Sequence, residues 1–312
     1  VYSYNSLFNK ITVIKEYRKI DMAAGDFSDR DGLIWMDGEI IPWRDAKVHV
    51  LTHGLHYASS VFEGERAYDD NIFRMHDHSK RLIRSAELID MQMTLTAEEL
   101  DTAKREILEA NKLTNAYIRP IAWRGSEQLG ISAQATKTHV AIACWDWPSY
   151  FSPEAREKGI SLQTSKWAAP MPNTATTASK AAGLYATHTM SKHSAEAKGY
   201  TDALMLDYRG YVAEATGANI FLVQDGVLRT PDPDCFLNGL TRQTVLSLAE
   251  ELKIPTEICH IKPEELKNTQ EVFLTGTAAE VTAVGKIDDL EFSVGPITRQ
   301  LRDAYESLVR QR

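Results

Sequence analysis

The order of apolar and polar positions divides the chain into two successive sets of short strands and amphipathic helices. Ile34-Trp35-Met36 and Glu39-Ile40-Ile41 flank Asp37-Gly38, the dipeptide that supplies the positive φ angles of a type I′ turn, so residues 34 to 43 predict a hairpin. Residues 61 to 68 and 71 to 75 predict a second hairpin across Asp69-Asp70. Asp77 is placed to cap a helix in which Leu82, Ala86 and Ile89 share one face. Thr96-Ala97-Glu98-Glu99 is a capping box ahead of Leu100, Ala103 and Ile107. Two strand-like runs follow, 116 to 123 and 138 to 147, and an antiparallel sheet is expected for this half.

Pro148 and Pro153 stand close together and break both helix and sheet, so residues 148–157 are expected to be a linker. A strand from 160 to 166 opens the second set. A loop rich in Pro, Thr and Ala then reaches Lys180, and a helix runs to about Gly199. A meander comes next: 203 to 206 turns at Arg209-Gly210 into 211 to 213, and 220 to 223 turns at Asp225-Gly226 into 227 and 228. Val245, Leu248, Ala249 and Leu252 form the apolar stripe of a helix from Thr241. Pro296 opens a last helix carrying Ile297, Leu301, Ala304, Tyr305 and Leu308. The pattern predicts two mixed domains, 32–147 and 158–312, with a small-molecule site in the cleft between them.

Composition narrows the class. A length of 312 residues suits two domains, and 43% hydrophobic with 25% charged residues is the balance of a soluble globular protein. The net charge of −8 and the lack of a basic block argue against nucleic acid as a partner. No apolar run approaches the roughly 18 residues of a membrane span. Cys144, Cys235 and Cys259 are odd in number and in no metal-binding spacing, which reads as reduced thiols in a cytoplasmic protein. Residues 1 to 20 carry Lys10, Lys15, Arg18 and Lys19 against Glu16, without the apolar stretch of a secretory signal. A transit peptide is one reading. The preferred one is an extension upstream of a start at Met22, so residues 1–31 are set aside as a non-native or disordered N-terminal extension.

Lys180 lies in Thr177-Ala178-Ser179-Lys180-Ala181-Ala182-Gly183, among the smallest side chains. Small neighbours let a planar ring approach the backbone, and partial desolvation helps an amine shed its charge. Both favour imine formation with an aldehyde cofactor; a solvated lysine in a flexible loop is the plainer alternative. Glu214 ends an apolar strand, again among small residues, where it either partners a protonated ring nitrogen or faces water from a sheet edge. Gly239-Leu240-Thr241 and Gly276-Thr277-Ala278-Ala279 are turns able to aim free N–H groups at a phosphate, or ordinary strand-to-helix turns. His53-x-x-His56 and His76-x-His78 complete no known ligand spacing, so no metal is expected, and His53 and His56 are read as holding the backbone of residues 51 to 60. No nucleophile elbow of a serine hydrolase is present.

Six blocks in order resemble the branched-chain amino acid aminotransferases, in the fold-type IV group of pyridoxal-phosphate (PLP) enzymes. They are Ala46-Lys47-Val48-His49-Val50-Leu51-Thr52-His53-Gly54-Leu55-His56-Tyr57, Val61-Phe62-Glu63-Gly64-Glu65-Arg66, Ala116-Tyr117-Ile118-Arg119-Pro120, Ser179-Lys180-Ala181-Ala182-Gly183-Leu184-Tyr185, Glu214-Ala215-Thr216-Gly217-Ala218-Asn219 and Thr275-Gly276-Thr277-Ala278-Ala279-Glu280. The resemblance runs from about Gly32 to the C-terminus. It implies an α+β, two-domain fold of the D-amino acid aminotransferase-like kind, with the active site in the interdomain cleft and pyridoxal 5'-phosphate as cofactor. The implied activity is transamination of L-leucine, L-isoleucine and L-valine with 2-oxoglutarate.

By the same resemblance, Lys180 is the Schiff-base lysine, Glu214 the partner of the pyridine nitrogen and Tyr185 the partner of the phenolic oxygen. Arg81, Leu240, Thr241 and Thr277 match the phosphate-holding positions. Tyr117 with the backbone of Thr277 and Ala278 matches the α-carboxylate site. Tyr57, Phe62, Arg119, Trp147 and Tyr150 match the side-chain pocket, with Arg119 for a γ-carboxylate and Arg66 as the alternative cation. A homodimer or higher homo-oligomer with shared pocket residues is implied as well. The segment Trp123-Arg124-Gly125-Ser126-Glu127 is followed by no R-x-H carboxylate trap of the D-amino acid transaminases. That group, the (R)-amine transaminases and aminodeoxychorismate lyase are the nearest rivals, and a cofactor-free binding protein on the same scaffold is the rival from another class.

Overall fold

The computed structural model describes residues 26–147 and 157–311. In the first half, seven strands form one antiparallel sheet: β1 (Leu33–Met36), β2 (Glu39–Pro42), β3 (Ser60–Phe62), β4 (Glu65–Tyr68), β5 (Asn71–Ile72), β6 (Ala116–Arg124) and β7 (Thr138–Asp146). Their spatial order is β2-β1-β7-β6-β4-β5, and β3 also pairs with β6. The β1–β2 turn holds Asp37 and Gly38 at φ 52° and 97°, as that dipeptide favours. A short helix α1 (His53–Tyr57) precedes β3. Helices α2 (Met75–Leu88) and α3 (Ala97–Ala110) cover one face of the sheet, where Leu82, Ala86, Leu100 and Ile107 meet Ile118 and Ile142. Alternation along β6 sends Tyr117, Arg119, Ile121 and Trp123 to the opposite face. There the last three line an apolar depression with Ile34, Met36 and Val48.

The second half builds a nine-stranded mixed sheet from β8 (Ile160–Ala169), β9 (Asp202–Asp207), β10 (Val212–Ala215), β11 (Asn219–Gln224), β12 (Val227–Pro231), β13 (Thr256–Cys259), β14 (Glu271–Gly276), β15 (Glu280–Ile287) and β16 (Leu290–Glu291). The central strands β11 and β14 read as nearly unbroken apolar runs because both faces are covered. Ile220, Leu222 and Leu274 enter one core, and Phe221, Val223 and Phe273 the other. The second core lies under α5 (Leu240–Glu251) and α6 (Pro296–Val309). Helix α4 (Tyr185–Glu196) follows the Lys180 segment. Tyr68, from the first half, belongs to the α5–α6 core, and its hydroxyl donates to Glu280 at 2.8 Å.

Several expectations change in detail. Helix α2 starts at Met75 with Arg74 in the left-handed region as its N-cap, so Asp77 is not the cap. Asp77 accepts instead from Arg74 Nε at 2.7 Å. Strand β13 is not foreseen by the sequence pattern, since it is largely exposed and depends on parallel pairing with β12, and the turn at Gly276–Ala279 leads not into a helix but into β15, which pairs antiparallel with β14. Residues 26–31, set aside with the N-terminal extension, pack on the first sheet. Phe27 lies edge-on to Trp145 at 5.0 Å and accepts from Trp43 Nε1 through its carbonyl. Residues 1–25, with the expected start at Met22, and residues 148–156 of the expected linker lie outside the described residues.

The capping box of α3 is complete: Thr96 Oγ1 accepts from Glu99 N, and Glu99 Oε2 accepts from Thr96 N. Thr96→Ala should lower unfolding free energy by about 1 kcal/mol. Urea denaturation followed by far-ultraviolet dichroism would measure this.

Candidate active site

Lys180 is presented by a segment tied to the first half. Its N–H donates to Ser85 Oγ at 3.0 Å, and its carbonyl accepts from Phe62 N at 3.2 Å. Ser179 Oγ donates to the Ser85 carbonyl at 2.8 Å, and Ala181 forms a β-bridge with Val61. Such close approach requires small residues: a Cβ on Gly183 would stand 3.1 Å from that of Ala58. The side chain turns into a cavity that Tyr185, Glu214 and Thr277 also line. Its Nζ donates to Tyr185 Oη at 2.9 Å and sits 4.9 Å from the centre of the Phe62 ring.

Glu214 reaches the same cavity from β10, whose four residues are all buried, and pairs across a tight hairpin with Asn219. Burial pushes its carboxyl up to about 8, against the opposing pull of Lys180. Its neighbours stabilise a negative charge weakly. Asn219 Nδ2 is 3.4 Å away, and His188 Nε2 is 4.0 Å away. His188 Nδ1 faces the Thr216 carbonyl at 2.8 Å and must therefore carry the proton. Burial, with Lys180 nearby, lowers the His188 pKa, so the ring is neutral and its bare Nε2 faces Glu214.

The far end of the cavity is built from turns. Gly239 N donates to Asn219 Oδ1 at 3.1 Å and opens α5 without a side-chain cap. A Cβ on Gly239 would come within 2.3 Å of that oxygen, so only glycine keeps the turn in place. Leu240, Thr241 and Thr277 line this end together with Arg81 from α2. The Arg81 Nη1 and Thr275 Oγ1 atoms are buried without hydrogen-bond partners among the described residues. An amine, a buried acid, uncapped helix amides and an unpaired guanidinium nitrogen in one cavity fit a phosphorylated pyridine aldehyde. The expected cofactor set of Arg81, Lys180, Tyr185, Glu214, Leu240, Thr241 and Thr277 is thus brought together.

The expected substrate residues divide. Phe62 packs edge-on to Tyr185 at 4.8 Å, and Arg119 lies over Phe62 and Tyr117 at 5.0 and 5.3 Å. Trp147 meets Tyr117 at 5.0 Å. Tyr117 Oη fills the space beside Gly64, where a Cβ would come within 2.0 Å. Thr277 and Ala278 stand in the β14–β15 turn. Arg66 does not stand free as an alternative cation: its Nη1 is paired with Glu280 at 2.9 Å, which ties β4 to that turn. Tyr57 is apart from this group, 43% exposed and against His53 at 4.6 Å. Tyr150 lies outside the described residues.

His53 and His56 face the backbone carbonyls of Gly130 and Val50, outside the 51–60 segment whose backbone they are expected to hold, and within it His53 Nδ1 lies 2.6 Å from the Ser59 hydroxyl. Among the described residues, Asp207, Asp234 and Cys235 come close enough to share an ion, but Arg209 pairs with both aspartates at 2.6 and 2.8 Å. His188, Asn219, Ser85 and Glu63 were missed by sequence reasoning. His188 was findable, three residues after Tyr185 on the same helical face. Nothing local marks the other three.

The profile of the family described as amino-transferase class IV matches residues 60–287. A branched-chain-amino-acid aminotransferase of Pseudomonas aeruginosa is 43% identical over 289 residues, spanning 90% of this chain and 94% of its own. The T.th. branched-chain amino acid aminotransferase with pyridoxamine 5'-phosphate superposes with a TM-score of 0.87 at 39% identity, covering 90% of this chain and 96% of its own. The same T.th. enzyme complexed with N-(5'-phosphopyridoxyl)-L-glutamate gives 0.86 at 38% identity, covering 90% and 95%.

Glu214 generates a pH prediction for the cofactor-free protein. The folded chain keeps a proton up to about pH 8 that the unfolded chain releases from about 4.5. The stabilisation is therefore full below the unfolded value and is lost as pH rises through the folded one. Glu214→Gln, which cannot ionise, should gain stability relative to the parent between pH 5 and pH 9, by a few kcal/mol. Calorimetric melting across that range is the measurement; a parallel pH profile for both proteins would show that the carboxyl is not held neutral.

Proposed function

The chain belongs to the class IV aminotransferases, and we propose that it transfers the amino group of L-leucine, L-isoleucine or L-valine to 2-oxoglutarate, using pyridoxal 5'-phosphate. The reading is carried by the convergence of Lys180, Glu214 and Arg81, from three separate elements, on one cavity. When bound, the cofactor supplies an aldehyde for the amino group and a ring that withdraws electrons from the substrate α-carbon.

In this reading each residue has one task. Lys180 anchors the cofactor and moves the proton at the α-carbon. Glu214 holds a proton on the ring nitrogen, and Tyr185 hydrogen-bonds the phenolic oxygen. Arg81 and the Leu240, Thr241 and Thr277 positions hold the phosphate. Tyr117, with the backbone of Thr277 and Ala278, takes the α-carboxylate. Phe62 and Trp147 wall the aliphatic pocket, and Arg119 receives the γ-carboxylate of glutamate. Residues 32–147 and 158–312 act as two domains around the cleft.

A second copy of the chain belongs to this reading. Val48, Val50, Leu51 and Leu55 are 44–71% exposed around the open face of the first sheet. So many exposed apolar side chains in one segment suit burial against a like surface. Tyr57, at the end of that segment, would then serve the neighbour's pocket. The free thiols Cys144, Cys235 and Cys259 suit a cytoplasmic location.

The purified protein should be yellow and active with the three branched-chain amino acids. Lys180→Ala should abolish turnover, and borohydride should fix the cofactor to Lys180, which peptide mass spectrometry locates. Recovery of the reduced adduct on another lysine would reject the assignment.

Arg119 decides dual recognition. Apolar burial of a leucine side chain is worth roughly 1.5–3 kcal/mol. A charge-assisted contact to a γ-carboxylate is worth about 1.5–3 kcal/mol, so one pocket can accept both. Arg119→Leu should weaken the glutamate half-reaction about ten- to a hundredfold and spare leucine. Stopped-flow kcat/KM for each half-reaction separates the two; equal losses would move Arg119 to a structural role.

A further inference from the structure

Glu63, one residue beyond β3, is fully buried, and its carboxylate is completely engaged. Oε1 accepts from Arg81 Nε at 2.6 Å, and Oε2 accepts from Arg81 Nη2 at 2.8 Å. His78 Nδ1 lies 2.7 Å from Oε2. Burial pushes the Glu63 carboxyl up, yet Arg81 and His78 outweigh it and hold it well below the usual carboxylate range. His78 and Arg81 sit three apart on α2, so one helical face delivers both donors. The next carboxylate, Glu65, has its own buried cation in Lys104 at 2.7 Å. Two of the three Arg81 guanidinium nitrogens are therefore clamped by Glu63, and the buried Nη1 is left without a partner beside the cavity.

We propose that Glu63, steadied by His78, is a positioning residue for phosphate recognition: it fixes the Arg81 plane so that Nη1 is a single directed donor to the cofactor phosphate. The inference rests on the reading of the cavity as a PLP site. Charge alone makes the opposite prediction. Glu63 offsets the positive charge of Arg81, so a carboxylate there is unfavourable if the arginine works as a point charge near a dianion. A clamped, bidentate arginine gives direction instead, and direction is lost when the clamp is removed.

The test uses the full chain freed of cofactor and titrated separately with PLP and with pyridoxal, which lacks the phosphate. Loss of one directed charge-assisted bond corresponds to about tenfold or more in affinity. Glu63→Gln should weaken PLP by that factor and leave pyridoxal within about twofold. A general packing defect would weaken both, so the ratio isolates positioning. In an Arg81→Gln background, Glu63→Gln should leave the ratio unchanged. An unchanged or increased preference for PLP in Glu63→Gln alone overturns the proposal. If Glu63→Gln does not fold, His78→Leu keeps the Arg81 pair and removes the third bond. It should then lower the ratio several-fold, and an unchanged ratio is equally fatal. Failure of the parent protein to bind either compound would instead reject the PLP reading itself.

Discussion

The hydrogen bonds that tie residues 179–181 to the first half are the constraint on which the site depends. By sequence Lys180 belongs to the second half, but its backbone is held by Ser85 of α2 and Phe62 of β3. The same two elements carry Arg81 into the cavity and the Phe62 ring against Tyr185. The amine, the arginine and the aromatic wall therefore share one frame. Glu214 and the Gly239 turn share another through Asn219, which contacts both. The Arg66–Glu280 pair and the Tyr68 hydroxyl add a second tie, at the turn that holds Thr277 and Ala278.

Within that frame two buried glutamates are driven in opposite directions. Glu63 has an arginine and a histidine at hydrogen-bond distance and stays ionised. Glu214 has only a weak amide contact and a histidine that presents a lone pair, and its carboxyl is raised to about 8. Two buried carboxyls become unequal acids because the donors within reach differ. Glu63 has its cationic partner within the chain, whereas a protonated ring nitrogen would supply one to Glu214.

What could be read from the chain was local. The Asp37-Gly38 turn and the Thr96 capping box depend on a few adjacent residues, and both stand where expected. Small neighbours in sequence marked Lys180 and Glu214 as candidates, and it is the resemblance of the six blocks that gave each an expected role. Strand β13 was not, because its pairing with β12 brings together residues 28 apart and its pattern is mostly polar. Glu63 looks like one more acid between two strands until α2 folds back upon it. Arg66 looked free because nothing near it in sequence announces Glu280.

Strand β6 has a consequence for how such a protein can change. Tyr117 and Arg119 point to the open face, while Ala116, Ile118 and Ala122 point into the core beneath α2 and α3. The two-residue period of a strand places the proposed ligand contacts and the packing contacts on alternate positions of one short segment. Under the proposed function, variation at Tyr117 or Arg119 would alter what the pocket accepts, whereas variation at Ile118 or Ala122 would disturb the core beneath α2 and α3. Substrate range and foldability are thus exposed to selection almost independently within nine consecutive residues.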